Sequence, residues 1–148
     1  MLQKTLFDVP IWIKEVDDFD YKKGKLEEEL SKFPEVRNET NTFLSNRDAQ
    51  RDGLSKSFGN IMSKELHELQ VELKKYRPEI SEVWVTDVWS VTYEQGDYQA
   101  THNHSSTGLS GLLHLEIPTD GPQLNIIMPW NDWIHDDTKY YSVKYKVG

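Results

Sequence analysis

The sequence contains no cysteine, which excludes disulfides and thiolate ligands, so any metal site must use His and carboxylate side chains. It also lacks an apolar run of membrane-spanning length and an N-terminal signal-peptide pattern, and we therefore expect a cytoplasmic protein without a membrane partner. Basic residues are few, because 17 Lys and Arg stand against 25 Asp and Glu, a formal net charge of −8. This balance argues against a broad phosphate-binding surface, and we expect no nucleic-acid partner.

Length and apolar periodicity predict one α+β domain with a core rich in aromatic residues. The chain has 148 residues, with five Trp, seven Tyr and five Phe. Periods of three and four predict helices over 18–33 and 54–77. Period-two alternation predicts strands over 83–93 and 139–147, and short apolar runs predict extended segments over 6–13, 109–118 and 123–128. Residues 35–52 are polar and indicate a loop, and we expect the cluster Lys22, Lys23 and Lys25 to form a solvated turn.

His102 and His104 give the sharpest chemical signal in the chain. Residues i and i+2 of an extended segment point to the same side, so the two imidazoles can bind one metal ion. Imidazole suits iron, copper, nickel and zinc alike. The alternative interpretation is a polar loop with two exposed histidines.

A longer pattern surrounds this pair: Trp89, Tyr93, Gly96-Asp97-Tyr98, His102-Asn103-His104, Ser110-Gly111-Leu112-Leu113 and Pro118. In this pattern the chain resembles the iron(II)/2-oxoglutarate-dependent oxygenases common in phages and marine bacteria, and the opening LFDVPIWI resembles the first strand of that family. The resemblance covers most of the chain. It implies a single domain over 1–148, with a strand and supporting helices in 1–82 and a double-stranded β-helix (jelly-roll or cupin-like) core in 83–148.

The resemblance also implies a function: an iron(II)- and 2-oxoglutarate-dependent dioxygenase or hydroxylase that acts on a small molecule or a protein side chain. The cytoplasm in which we expect the protein could then be that of an infected bacterial host. His102 is the better candidate iron ligand and His104 the second, while Tyr93 and His114 are candidates for contacts with 2-oxoglutarate. The alternatives are a core role for Tyr93, and a core or exposed position for His114.

The chain departs from the family at the metal ligands and at the cosubstrate anchor. His104 stands where the usual motif has Asp or Glu. The family's distal histidine and basic anchor belong to strands that would follow Gly148, and no Arg occurs after Arg77. We expect a C-terminally truncated product first, then a natural remnant or a site completed differently. His135 and Asp137 form the only H-x-D, which we interpret as an exposed loop pair rather than a replacement metal pair.

Two other functions stay open from the sequence. A cupin-like metal-binding protein would match Gly96 followed by five residues and H-x-H, although Gly108 and Leu109 stand where the cupin motif has its glutamate. A catalytically inactive structural or interaction domain of phage type would keep the fold without the metal. Fold analogy does not choose among these functions, since one fold hosts many.

Overall fold

The computed structural model describes residues 1–6, 9–37, 42–47, 52–104, 108–118, 121, 124–127 and 140–143. They belong to two compact units, one drawn from residues 1–17 and 112–148 and the other from residues 18–111. The elements of the first unit are β1 (Leu2–Leu6), β2 (Val9–Ile13), β5 (Leu124–Ile127) and β6 (Tyr140–Val143). Those of the second are α1 (Phe19–Leu30), β3 (Leu44–Ser45), α2 (Asp52–Ile61), α3 (Ser63–Tyr76) and β4 (Val91–Thr92).

The first unit contains two antiparallel pairs. β1 pairs with β2, with Leu2 opposite Ile13, so the single strand predicted over 6–13 is wrong in extent. A lone strand leaves its backbone groups unpaired, and the residues before Leu6 supply the partner. β5 pairs with β6, with Leu124 opposite Val143. This pairing confirms the extended runs predicted over 123–128 and 139–147 as far as those residues are described.

The second unit is built on its three helices. α1 confirms the helix predicted over 18–33, and α2 with α3 replaces the single helix predicted over 54–77. The two are separated by Met62, whose φ of −97° and ψ of 18° depart from helical values. Hydrogen bonds of 2.9 Å from Met62 N to Phe58 O and from Leu66 N to Met62 O nevertheless continue through the break. Pro78 follows the end of α3 and cannot extend it.

The helices enclose a small apolar core and one buried ion pair. Each helix or junction contributes one buried apolar side chain: Leu26, Leu54, Met62 and Leu73. Beside them Lys22 Nζ lies 2.6 Å from Glu65 Oε1, which joins α1 to α3. The expectation of a solvated turn at Lys22 is therefore wrong, because the lysine lies within α1 and faces the carboxylate of a neighbouring helix.

Strand pairing in the second unit is shorter than the sequence predicts. β4 covers two residues of the strand predicted over 83–93, and residues 83–90 and 109–118 belong to no strand that the structure describes. The partner of β4 is β3, which lies inside the predicted loop 35–52. The double-stranded β-helix stays a prediction, as does the single domain. No helix among the described residues has the length and apolar character needed to cross a bilayer.

Candidate functional site

The short β3–β4 pair aligns a row of side chains beside the histidines. Leu44 lies opposite Thr92 and Ser45 opposite Val91. Continued in both directions, this antiparallel register places Phe43 opposite Tyr93 and Arg47 opposite Trp89. The contacts agree: the rings of Phe43 and Tyr93 are 5.5 Å apart between centroids, and Arg47 Cζ lies 4.9 Å from the Trp89 ring centroid. Because side chains alternate along a strand, these two pairs share one side, which we call the ring face (Phe43, Arg47, Trp89, Tyr93).

Hydrogen bonds from three polar side chains hold the backbone next to the ring face in place. Asn46, only 2% exposed, accepts a hydrogen bond of 2.8 Å from Ser90 N and donates one of 3.4 Å to Phe33 O. Ser45 Oγ donates to Ser90 O at 2.9 Å, and Ser55 Oγ of α2 donates to Thr86 O at 3.3 Å. The segment before β4 is therefore tied to β3 and to a helix, although it has few strand hydrogen bonds of its own.

A second set of contacts, the Arg37 clamp (Arg37, Thr42, Glu94, Asp97 and Tyr98), holds the turn that leads to the histidines. The Arg37 guanidinium donates to Asp97 Oδ1 at 2.8 Å, to Asp97 Oδ2 at 3.0 Å and to Glu94 Oε2 at 2.7 Å. It also donates to Thr42 O at 2.6 Å, and Thr42 Oγ1 bonds the backbone of Tyr98. The clamp therefore connects the segment that leads into β3 to the turn after β4.

Charge and backbone geometry explain the shape of this turn. Asp97 N donates to Glu94 O at 3.0 Å, and Gly96 between them has φ +92°, a value that glycine adopts without strain. Two hydrogen bonds hold the pKa of Asp97 below its ordinary value: the one from Arg37 has the larger effect, and the one from Glu94 N the smaller. An ionised Asp97 keeps both of its oxygens available to the guanidinium.

The structure brings the two predicted metal ligands together. The imidazole rings of His102 and His104 are 5.1 Å apart between centroids, with an interplanar angle of 64°. Both residues are exposed. His104 also stacks on Trp89, with centroids 6.1 Å apart, so the histidine segment lies against the ring face.

A chain of hydrogen bonds connects Tyr93 to His102 and defines the imidazole tautomer. Tyr93 Oη donates to Gln99 Oε1 at 2.8 Å, and Gln99 Nε2 lies 3.4 Å from His102 Nε2. His102 Nδ1 lies 3.0 Å from the carbonyl oxygen of Ala100, which can only accept, so Nδ1 carries the proton. Nε2 then carries the lone pair and accepts a hydrogen bond from Gln99 Nε2. A metal-binding histidine usually has this arrangement, with its other ring nitrogen donating to a backbone carbonyl.

Tyr93 and His114, the two side chains predicted to contact 2-oxoglutarate, have different surroundings. Tyr93 belongs to the second unit, where burial and then the charge of Asp97 raise its pKa, so its hydroxyl stays a donor. His114 belongs to the first unit, where burial lowers its pKa and favours the neutral ring. A neutral imidazole offers a carboxylate a hydrogen bond but no positive charge. His135 and Asp137 lie outside the described residues.

Sequence reasoning missed three side chains: Gln99, which contacts His102, Arg47, which contacts the Trp89 ring, and Arg37, which holds the turn before the histidines. Both arginines come from the segment predicted to be a plain loop, and no local pattern marks them. Within the described part of the chain, no group of three His, Asp or Glu side chains is placed to hold a metal ion. Among the described residues, His102 and His104 therefore have no third His or carboxylate side chain placed to complete a metal site with them.

Comparison with protein-family models, curated proteins and solved structures finds no match. The interpretation of the site therefore depends on its own geometry and on the sequence resemblance.

Proposed function

We propose that the protein binds one divalent transition-metal ion, iron(II) by resemblance, through His102 and His104, and that it acts as a 2-oxoglutarate-dependent oxygenase. The observation that carries the proposal is the pair of imidazoles on one segment, one of them held in the tautomer suited to a metal. The substrate would be a small molecule or a protein side chain.

The spacing of the two rings fits ligands of one ion. With metal–nitrogen bonds of about 2.1 Å, the centroids of two bound imidazoles lie about 4.5 Å apart at a right angle and about 5.2 Å apart at a tetrahedral angle. The observed 5.1 Å falls within that range. The hydrogen bond from His102 Nδ1 to Ala100 O would fix the ring orientation of this ligand and raise its basicity.

Arg47 supplies the positive charge that a dicarboxylate cosubstrate requires. Its guanidinium lies 4.9 Å from the Trp89 ring centroid, and that ring stacks on His104. Arginine binds a carboxylate through two parallel hydrogen bonds, which also orients the bound group. In this proposal Arg47 serves as the basic residue that binds 2-oxoglutarate, because no Arg follows Arg77 in the sequence.

The chemistry of such a site divides between the ion and the protein. A bound iron(II) would supply the activation of oxygen that hydroxylation coupled to decarboxylation of 2-oxoglutarate requires. The protein residues bind and orient: His102 and His104 hold the ion, and Arg47 holds a carboxylate. Trp89 contacts both Arg47 and His104, so it lies beside the carboxylate-binding residue and one of the metal ligands of this proposal.

The test is an anaerobic iron(II) titration of the full chain, with and without 2-oxoglutarate. We expect one ion per chain, lost in the double variant His102→Ala, His104→Ala. His67→Ala is the matched control, because His67 is exposed on α3. Arg47→Ala should keep the ion but lose most of the increase in affinity that 2-oxoglutarate causes.

Three results would contradict the proposal. Stoichiometric binding that survives the double variant would place the metal elsewhere in the chain. Absence of binding in the unmodified protein would favour the metal-free interaction domain, whereas binding that 2-oxoglutarate does not affect would favour the cupin-like alternative.

A further inference from the structure

Gln99 lies next to His102, and its side-chain amide faces the ring nitrogen that would bind a metal ion. Its terminal amide lies between two groups, with Oε1 2.8 Å from Tyr93 Oη and Nε2 3.4 Å from His102 Nε2. His102 Nε2 is the atom that the tautomer leaves with a lone pair. The amide therefore lies beside the nitrogen atom that would bind the metal ion.

The distance matches that of two ligands on one ion. Two donor atoms with bonds of about 2.05 Å to a shared ion lie about 2.9 Å apart at a right angle and about 3.4 Å apart at a tetrahedral angle. The terminal amide atom of Gln99 is 3.4 Å from His102 Nε2. An ion bound by His102 would therefore have this amide within bonding reach without movement of the backbone.

The amide must present its oxygen to a metal, and its surroundings allow that rotation. A half-turn of the amide exchanges Oε1 and Nε2, after which Nε2 donates to Tyr93 Oη. A phenol hydroxyl both donates and accepts, so the contact with Tyr93 is kept in either orientation.

We propose that Gln99 is the third protein ligand of the ion held by His102 and His104, through its side-chain oxygen. This inference rests on the proposed metal site and names its ligand set: two neutral imidazoles and a neutral amide. Such a set leaves the full charge of the divalent ion uncompensated by protein. The site would therefore favour an anionic ligand at the positions that remain open.

The experiment measures cobalt(II) affinity by titration, together with the visible absorption of the bound ion. We expect Gln99→Ala to weaken cobalt(II) binding at least tenfold. Loss of a residue that only hydrogen-bonds to a metal ligand weakens binding roughly 10-fold to 100-fold, and loss of a ligand itself should cost no less. Gln99→Glu should bind at least as tightly as the unmodified chain, since a carboxylate oxygen replaces the amide oxygen, and the absorption bands should shift. Gln70→Ala is the control, because Gln70 lies on α3 and donates to Ser81 O, so its loss should leave cobalt(II) affinity unchanged.

The outcomes separate this inference from the proposed function. Binding that is lost in the double variant His102→Ala, His104→Ala but unchanged in affinity and absorption in Gln99→Ala would overturn the role of Gln99 and leave the metal site intact. Absence of binding in the unmodified chain would overturn both. Weaker binding in Gln99→Ala with no recovery in Gln99→Glu would also count against ligation, because an added carboxylate at a ligand position must bind the ion.

Discussion

The buried ion pair between Lys22 and Glu65 offers the most direct test of the helical unit. Their charged atoms are 2.6 Å apart, and the side chains are 11% and 10% exposed. Replacing Lys22 by Met keeps the apolar stem but leaves the carboxylate of Glu65 buried without its cation. Breaking a buried pair from one side costs about 3–5 kcal/mol of the free energy of unfolding.

Urea unfolding followed by helical circular dichroism measures this loss, because α1, α2 and α3 all lie in the unit that contains the pair. With a denaturant slope of about 2 kcal/mol per molar urea, the midpoint of Lys22→Met should fall by about 1.5 to 2.5 M. Lys25→Met is the matched control on the same helix. Its partner Glu28 is exposed, and we expect no measurable shift.

The double variant Lys22→Met, Glu65→Leu gives the decisive comparison. Replacing both charges with apolar groups removes the buried carboxylate as well, so the midpoint should recover most of what the single variant lost. A single variant that shifts the midpoint by less than about 0.5 M would refute the reasoning, since the expected shift is several times larger. A double variant no more stable than the single would refute it too, because the loss would then come from packing and not from charge.

Three further predictions concern the segments around the site. Asn46→Ala should lower the free energy of unfolding by about 1–3 kcal/mol, because the half-buried N–H of Ser90 loses its acceptor; urea unfolding measures this, and an unchanged midpoint would contradict it. Gly96→Ala should cost about 1–2 kcal/mol at φ +92° and speed hydrogen exchange of the Asp97 amide, whereas equal exchange rates would exclude strain in the turn. The depressed pKa of Asp97 means that its contact with Arg37 contributes stability above the ordinary pKa of 3.8, and that this is lost as the pH falls through the lower folded-state value. Asp97→Asn should therefore flatten the acid side of the stability profile below pH 3.8, and an unaltered profile would show that the ion pair contributes nothing.

The features that could be predicted from the sequence are those encoded within a few residues. Apolar positions three and four apart define α1 and most of α2 and α3, because a helix buries one face whatever lies against it. The spacing of His102 and His104 likewise brings two imidazoles together through local geometry. Their proximity is therefore confirmed, while the ion that they hold stays a proposal.

The features that could not be predicted depend on partners distant in sequence. Lys22 carries no sign of burial, since its partner Glu65 follows 43 residues later. Arg37 meets Asp97 across 60 residues, and β3 is too short for a period-two pattern to mark it. The apolar run over 109–118 predicts a strand, but such a run does not specify a pairing partner, and none is present among the described residues.

The brevity of the β3–β4 pair has a consequence for how the site tolerates changes in chain length. Arg47 reaches Trp89 because it follows Ser45 by two residues, which keeps it on the ring face. One residue inserted between Ser45 and Arg47 would turn the guanidinium to the opposite side and leave the helical core untouched. A single-codon insertion would thus remove the contact between Arg47 and Trp89, and counting residues from β3 is the first check to make on any natural variant of this chain.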